Sequence, residues 1–231
     1  MKAMIFAAGR GERMGELTQS LPKPMLEVRG KPLIVHTLKR LRDANISDVI
    51  INIAYLGDAI KNYLGDGEQF GVAIQYSEEP YPLETAGAIL HALPLLGDER
   101  FVAVNADVWT DFSFDSLVNK SLGKNTLGHL VMVPNPEQHP QGDFCLDADN
   151  KLFLRSGQGT QSFTFSGISL FSSKLIRDYE KKREKFPLLE VFVEAMKEKQ
   201  LSGEIYNGEW EDIGTPERLE AINRRQLFNG T

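Results

Sequence analysis

Across its first hundred residues the chain alternates short apolar runs with segments of helical period, and that alternation leaves few architectures open. Met4 to Ala8 predicts a buried strand, Pro32 to Asp43 a helix with proline in its first turn, Asp48 to Ala54 a second strand, and Asp58 to Leu64 a short helix. Val72 to Tyr76 predicts a third strand, Thr85 the cap of a helix reaching Leu93, and Arg100 to Val104 a fourth strand. Strands that alternate with helices pair in parallel and carry those helices on both faces. The expected class is α/β, with a Rossmann-like, mostly parallel central sheet.

After about Asn105 the texture changes. Leu127 to Val133, Asp143 to Leu146, Lys151 to Leu154 and Phe163 to Phe171 predict strands with few helices between them, followed by helices at Leu188 to Lys199 and Thr215 to Leu227. This half predicts a smaller mixed or antiparallel lobe. No repeat or low-complexity linker divides the chain, so residues 1–231 are expected to form one domain. A chain of 231 residues can bury on the order of 70% of its unfolded surface without staples. The single Cys145 cannot close an intramolecular disulfide, which makes a reducing cytoplasm the expected setting. The apolar run after Lys2 is only six residues long, too short for a signal peptide, and no run approaches the ~20 residues of a membrane helix. A net charge of −6 without a basic stripe argues against a nucleic-acid surface.

The first strand runs into Ala7-Ala8-Gly9-Arg10-Gly11-Glu12-Arg13-Met14-Gly15, a glycine-rich loop where an open parallel sheet binds its ligand. Its third glycine falls one place late for a dinucleotide fingerprint, no helix pattern starts there, and no Gly-Lys-Ser/Thr follows, so the P-loop is excluded too. What the loop does carry is Arg10 and Arg13, with Lys23 clamped between Pro22 and Pro24. A glycine-rich turn alone would be a surface feature; with Arg13 and a rigidly held Lys23 it favours polyphosphate binding. Asn105-Ala106-Asp107 follows a buried strand, at the sheet edge where a polar group is placed for chemistry. His36, His91, His129 and His139 lack metal-ligand spacing. Cys145, between Phe144 and Leu146, reads as strand packing, and the mixed-sign run Glu180 to Lys185 reads as a solvated turn.

The stretch from Ala7 to Met25 resembles the signature of the sugar-1-phosphate nucleotidyltransferases. The resemblance implies that Ala8, Gly9, Gly11, Arg13 and Lys23 hold a nucleoside triphosphate, with Lys23 acting on the α-phosphoryl group and Arg13 on the departing pyrophosphate. A Gly-Glu pair, Gly15-Glu16, stands where a proline often precedes Leu-Thr. Leu83-Glu84-Thr85-Ala86-Gly87-Ala88 resembles the family's Gly-Thr-Ala-Gly turn, which puts Thr85 and Gly87 at the nucleoside and Gln75, on the preceding strand, at the pyrimidine edge. Glu84 replaces the usual glycine and is expected to face a sugar hydroxyl or solvent. Trp210-Glu211-Asp212-Ile213-Gly214-Thr215-Pro216 resembles the family's Trp-x-Asp-Ile-Gly-Thr-Pro, so Asp107 and Asp212 are expected to share Mg²⁺.

Within the family, the 135–144 segment and the Leu83-Glu84-Thr85 variant resemble the stand-alone uridylyltransferases of peptidoglycan recycling that act on N-acetylmuramate 1-phosphate. UTP and that sugar phosphate are the expected partners, with Asn105, Gly142, Asp143 and Ser166 at the sugar. Residues 1–110 would then mainly bind the nucleotide, and residues 111–231 the sugar while supplying the second carboxylate. No Glu-Lys-Pro follows Leu152 to hold the sugar phosphate. Guanylyl transfer to mannose 1-phosphate and thymidylyl transfer to glucose 1-phosphate share the loop and both carboxylates. A silent nucleotide-sugar sensor would need no carboxylate pair, and a nicotinamide oxidoreductase is disfavoured by the glycine spacing. The oligomeric state stays open.

Overall fold

The computed structural model describes residues 1–155 and 159–228, without the side chains of residues 226–228. In chain order the elements are β1 (Lys2–Phe6), β2 (Glu27–Val28), β3 (Lys31–Pro32), α1 (Leu33–Asp43), β4 (Asp48–Ile53), α2 (Gly57–Leu64), β5 (Ala73–Glu78), α3 (Glu84–Leu96), β6 (Arg100–Asn105) and β7 (Val108–Thr110). The second half adds α4 (Asp115–Val118), β8 (Gly128–Val133), β9 (Phe144–Leu146), β10 (Leu152–Phe153), β11 (Ser162–Ser172), α5 (Lys174–Arg177), α6 (Leu188–Lys197), β12 (Leu201–Ile205), β13 (Trp210–Asp212) and α7 (Pro216–Phe228).

A nine-stranded sheet runs in the order β10-β9-β11-β6-β1-β4-β5, with β8 on β11 and β12 on β8. Strands β6, β1, β4 and β5 are parallel, and β11 runs antiparallel to β6. The expected antiparallel half is thus continuous with the parallel sheet. Strands β1, β4 and β6 are covered on both faces, which explains their nearly unbroken apolar runs, while the edge strand β5 alternates buried and exposed residues. Ala3 and Ile5 of β1 share one core with Ile34, Leu38 and Leu41 of α1 and Ile60 of α2, while Met4 belongs to a second core with Ile89 and Ala92 of α3 and Val191 and Phe192 of α6. The chain leaves β1 toward β4 on one side and returns to β6 on the other, which opens a crevice at the carboxyl ends of β1 and β6.

Three readings of the sequence change. The first strand ends at Phe6, freeing Ala7 and Ala8 to begin the loop, and 3₁₀ turns occupy Glu12–Thr18, where no helix was expected. Helix α3 starts at Glu84, so Thr85 lies inside it and does not cap it; its hydroxyl accepts instead from Leu188 N–H at 2.9 Å. Strands β7, β12 and β13 were not foreseen. A third core of Val28, Leu33, Trp109, Ile213 and Ile222 binds the β7–β13 and β2–β3 ribbons to α7. Among the described residues no helix is long and apolar enough to cross a membrane.

Candidate active site

The crevice holds a cavity of about 780 Å³ lined by the loop after β1, the turn after β6 and the start of α3. Its floor is the glycine loop. Gly9 is exposed and has no heavy atom within 4 Å of where a side chain would begin. Gly11 has φ +67°, and a Cβ there would press on Lys23 Cβ at 3.1 Å and Thr18 Cγ2 at 3.2 Å, so only glycine lets the loop fold back over the lysine. Thr18 donates its hydroxyl to Gly11 C=O at 3.0 Å, fixing that return. Lys23 is 8% exposed, and its Nζ lies 2.5 Å from Asp107 Oδ2.

Asp107 sits in the turn joining β6 to β7, and β7 pairs with β13 so that Val108 faces Asp212. Ile213 N–H donates to Asp107 C=O at 2.9 Å. Two carboxylates far apart in the chain are thereby held on neighbouring strands. Arg218, in the first turn of α7, donates to both the carbonyl and Oδ2 of Asp212 at 2.8 Å. Asp212 Oδ1 is buried with no hydrogen-bond partner among the described residues. A buried carboxylate oxygen without a donor is costly. Two carboxylates beside the cavity, one with an orphaned oxygen, fit a divalent cation that takes its other ligands from outside the protein. Gly214 lies between two guanidinium groups: a Cβ there would meet Arg218 Nη2 at 2.5 Å and Arg13 Nη2 at 3.2 Å.

A buried polar relay forms another wall. Ala7 N–H donates to Asn52 Oδ1 at 2.9 Å, Asn52 Nδ2 donates to Glu79 Oε1 at 2.6 Å, and Leu83 N–H donates to Glu79 Oε2 at 2.9 Å. The relay ties the loop entrance to the segment preceding α3. Gln75 does not line this cavity: it is an exposed mid-strand residue of β5, and the residue that does line it is Glu79, just past the strand's carboxyl end. Glu84 lines the cavity with φ +61°, a left-handed conformation that explains why glycine is usual there. Gly87 also lies outside the lining; a Cβ on it would meet Glu184 C=O at 2.4 Å, so its smallness admits the 184–188 strap against α3.

A second cavity of about 300 Å³ adjoins the first, sharing Phe6, Thr85 and Asn105 with it. Asp143 lines it and accepts Phe165 N–H at 2.8 Å, while Gly167, at φ +79°, admits Asn105 within 2.7 Å of its Cβ position. Gly142 and Ser166 are not in the lining. Gly142, at φ +60°, packs on Asn135, and Ser166 is 1% exposed, its hydroxyl accepting Ile168 N–H and its carbonyl accepting Trp210 Nε1–H. The geometry therefore gathers Ala8, Gly9, Gly11, Arg13, Lys23, Glu84, Thr85, Asn105 and Asp107 on the first cavity, with Asp212 beside it and Asp143 on the second. Asn52, Glu79 and Arg218 went unnoticed in the sequence, and Lys185, read there as the end of a solvated turn, lines the first cavity. Asn52, a lone amide inside Val-Ile-Ile-Asn-Ile, was the one with a signal.

A glycine loop at the switch point of a parallel sheet, a proline-clamped lysine and two aspartates on adjoining segments are the features of a nucleotidyl-transferring enzyme. The chain belongs to the nucleotidyl transferase family, whose model matches residues 2–227. It is 44% identical over 223 residues to N-acetylmuramate alpha-1-phosphate uridylyltransferase of Neisseria meningitidis serogroup B, covering 95% of this chain and 96% of that one. It is 30% identical to mannose-1-phosphate guanylyltransferase catalytic subunit beta of Danio rerio, covering 94% of this chain and 62% of the relative's length. Among solved structures, a Bacillus anthracis chain crystallised with sucrose shares the fold at a TM-score of 0.84 and 22% identity, over 97% of this chain and 94% of that one. HddC from Yersinia pseudotuberculosis does so at 0.79 and 22%, over 97% and 99%.

Proposed function

We propose that this protein transfers UMP from UTP to N-acetylmuramate 1-phosphate, releasing pyrophosphate, in the reducing cytoplasm and in the service of peptidoglycan recycling. The observation that carries the reading is the meeting of Lys23 with Asp107 beside the glycine loop, with Asp212 on the strand paired to the segment that follows Asp107, in a chain so similar along its length to a uridylyltransferase. An oxygen of the sugar phosphate attacks the α-phosphorus, a new P–O bond forms, and the bond from the α-phosphorus to the oxygen bridging the α and β phosphates breaks, that oxygen leaving with pyrophosphate. That nucleophile is already anionic, so no general base is needed and the protein's work is alignment and charge neutralisation. Ala8, Gly9 and Gly11 hold the triphosphate with backbone N–H groups, Lys23 meets the α-phosphoryl oxygens, and Arg13 holds the leaving pyrophosphate. Asp107 and Asp212 would hold Mg²⁺, which would supply further charge neutralisation at the phosphates. Residues 1–110 mainly serve the nucleotide, and residues 111–231 the acceptor and the second carboxylate.

Pyrophosphate release with a panel of triphosphates and sugar 1-phosphates tests this reading. UTP with N-acetylmuramate 1-phosphate should be the preferred pair, and EDTA should abolish the reaction. A preference for GTP with mannose 1-phosphate would instead assign the guanylyl reaction.

A further inference from the structure

The strap of residues 184–188 is fixed tightly to the start of α3. Phe186 C=O accepts from both Ala86 and Gly87 N–H at 3.1 Å, Phe186 N–H donates to Leu83 C=O at 3.2 Å, and Leu188 N–H donates to Thr85 Oγ1 at 2.9 Å. Phe186 is wholly buried, and Gly87 lets the strap backbone touch the helix. Between those anchors Lys185 lines the main cavity, and among the described residues its ammonium takes part in no ion pair or hydrogen bond. Two positions further on, Pro187, Leu188 and Leu189 line the second cavity. The other cations of the main cavity, Arg10, Arg13 and Lys23, all come from the loop segment, and Lys23 is already engaged by Asp107.

We infer that Lys185 is a specificity-determining residue that binds the carboxylate of an acidic sugar acceptor. The inference rests on the proposed reaction and adds to it the group that recognises the acceptor. N-acetylmuramate 1-phosphate carries two anionic groups, the phosphate on C1 and the lactyl carboxylate on the ring. The phosphate must reach the Lys23 and Asp107 side to react. A sugar seated across the two cavities turns its other substituents toward the strap, where the ammonium waits on a backbone that cannot swing away. An unpaired ammonium and a carboxylate form a charge-assisted hydrogen bond, which a neutral hydroxyl at the same place cannot replace.

N-acetylglucosamine 1-phosphate is the matched probe, since it lacks only the lactyl ether. Lys185→Met should raise KM for N-acetylmuramate 1-phosphate roughly 10–100-fold with kcat nearly unchanged, while kcat/KM for N-acetylglucosamine 1-phosphate stays within about twofold. Lys185→Arg should retain most of the preference. Calorimetric titration of both sugar phosphates reads the same difference for an acceptor that turns over poorly. Equal losses for the two acceptors would place Lys185 on the phosphate, and unchanged kinetics would make it a surface lysine; either result overturns the inference. Failure of the proposed reaction is read separately, on the unmodified protein, as no turnover of UTP with N-acetylmuramate 1-phosphate.

Discussion

Asp107 and Asp212 each already have a cation of their own, Lys23 and Arg218. Changing either acid therefore unbalances a pair as well as the metal site. Asp107→Asn and Asp212→Asn should each lower turnover by roughly 10²–10³ or more, and the double variant should fall little further, because each change dismantles one unit. Losses that multiply in pyrophosphate-release assays would mean that the two acids act separately. A second expectation concerns base choice. Gln75→Ala should leave UTP-over-GTP discrimination within about twofold, whereas Glu79→Ala, which strips partners from Asn52 and Leu83, should lower kcat/KM for UTP roughly tenfold. A large loss of discrimination in the Gln75 variant would return base reading to β5. Gly11 was legible because its left-handed turn over Lys23 leaves no room for a side chain, and Lys23 and Asp107 because charged groups at the end of a buried sheet are out of place without a task. Gln75 misled because β5 runs on to Glu78, which moves the carboxyl edge of the sheet to Glu79.

Helix α3 and its strap supply paired expectations of opposite sign. Gly87→Ala drives a methyl into the Glu184 carbonyl, so the strap must lift; a cost of about 1–3 kcal/mol should lower the melting temperature by roughly 3–10 °C and raise KM for the acceptor. Glu84→Gly relieves a left-handed residue and should raise melting by a few degrees, about 1 kcal/mol. Differential scanning fluorimetry reads both, and a stable Gly87 variant would mean the strap is not held as described. The main parallel strands and helices α1 to α3 were legible from periodicity. Strands β7 and β13 were not, since three residues carry no period and their pairing joins Thr110 to Trp210 across a hundred residues of chain.

At the far edge of the sheet, β12 is tied in by a charged cluster. Glu204 of β12 lies 3.5 Å from His129 Nε2 and 2.9 Å from Lys120 Nζ, and His129 Nδ1 meets Ser202 Oγ at 2.8 Å. The imidazole, then the ammonium, hold the Glu204 carboxyl down to about 2, from an ordinary 4.5. A carboxyl depressed in the folded state stabilises above its unfolded value and loses that contribution as pH falls toward the folded one. Glu204→Gln should therefore melt several degrees lower than wild type at pH 6, and the gap should close between about pH 4.5 and 2. A gap independent of pH would make the carboxylate's role one of packing alone. The expected smaller lobe was legible as a set of strands, but not that β11 joins them to the first half, because that depends on which strand edge lies free.

The ribbon that pairs β7 with β13 also makes the site depend on a joint outside the main sheet. Every strand of the nine-stranded sheet precedes Asp212 in the chain, so the pairing of that sheet does not by itself bring Asp212 to Asp107; the ribbon does. Asp212 and the α7 arginine that steadies it are joined to the rest through that ribbon and the small core around Trp109 and Ile213. A change that loosened the ribbon would part the two aspartates and leave the large sheet paired.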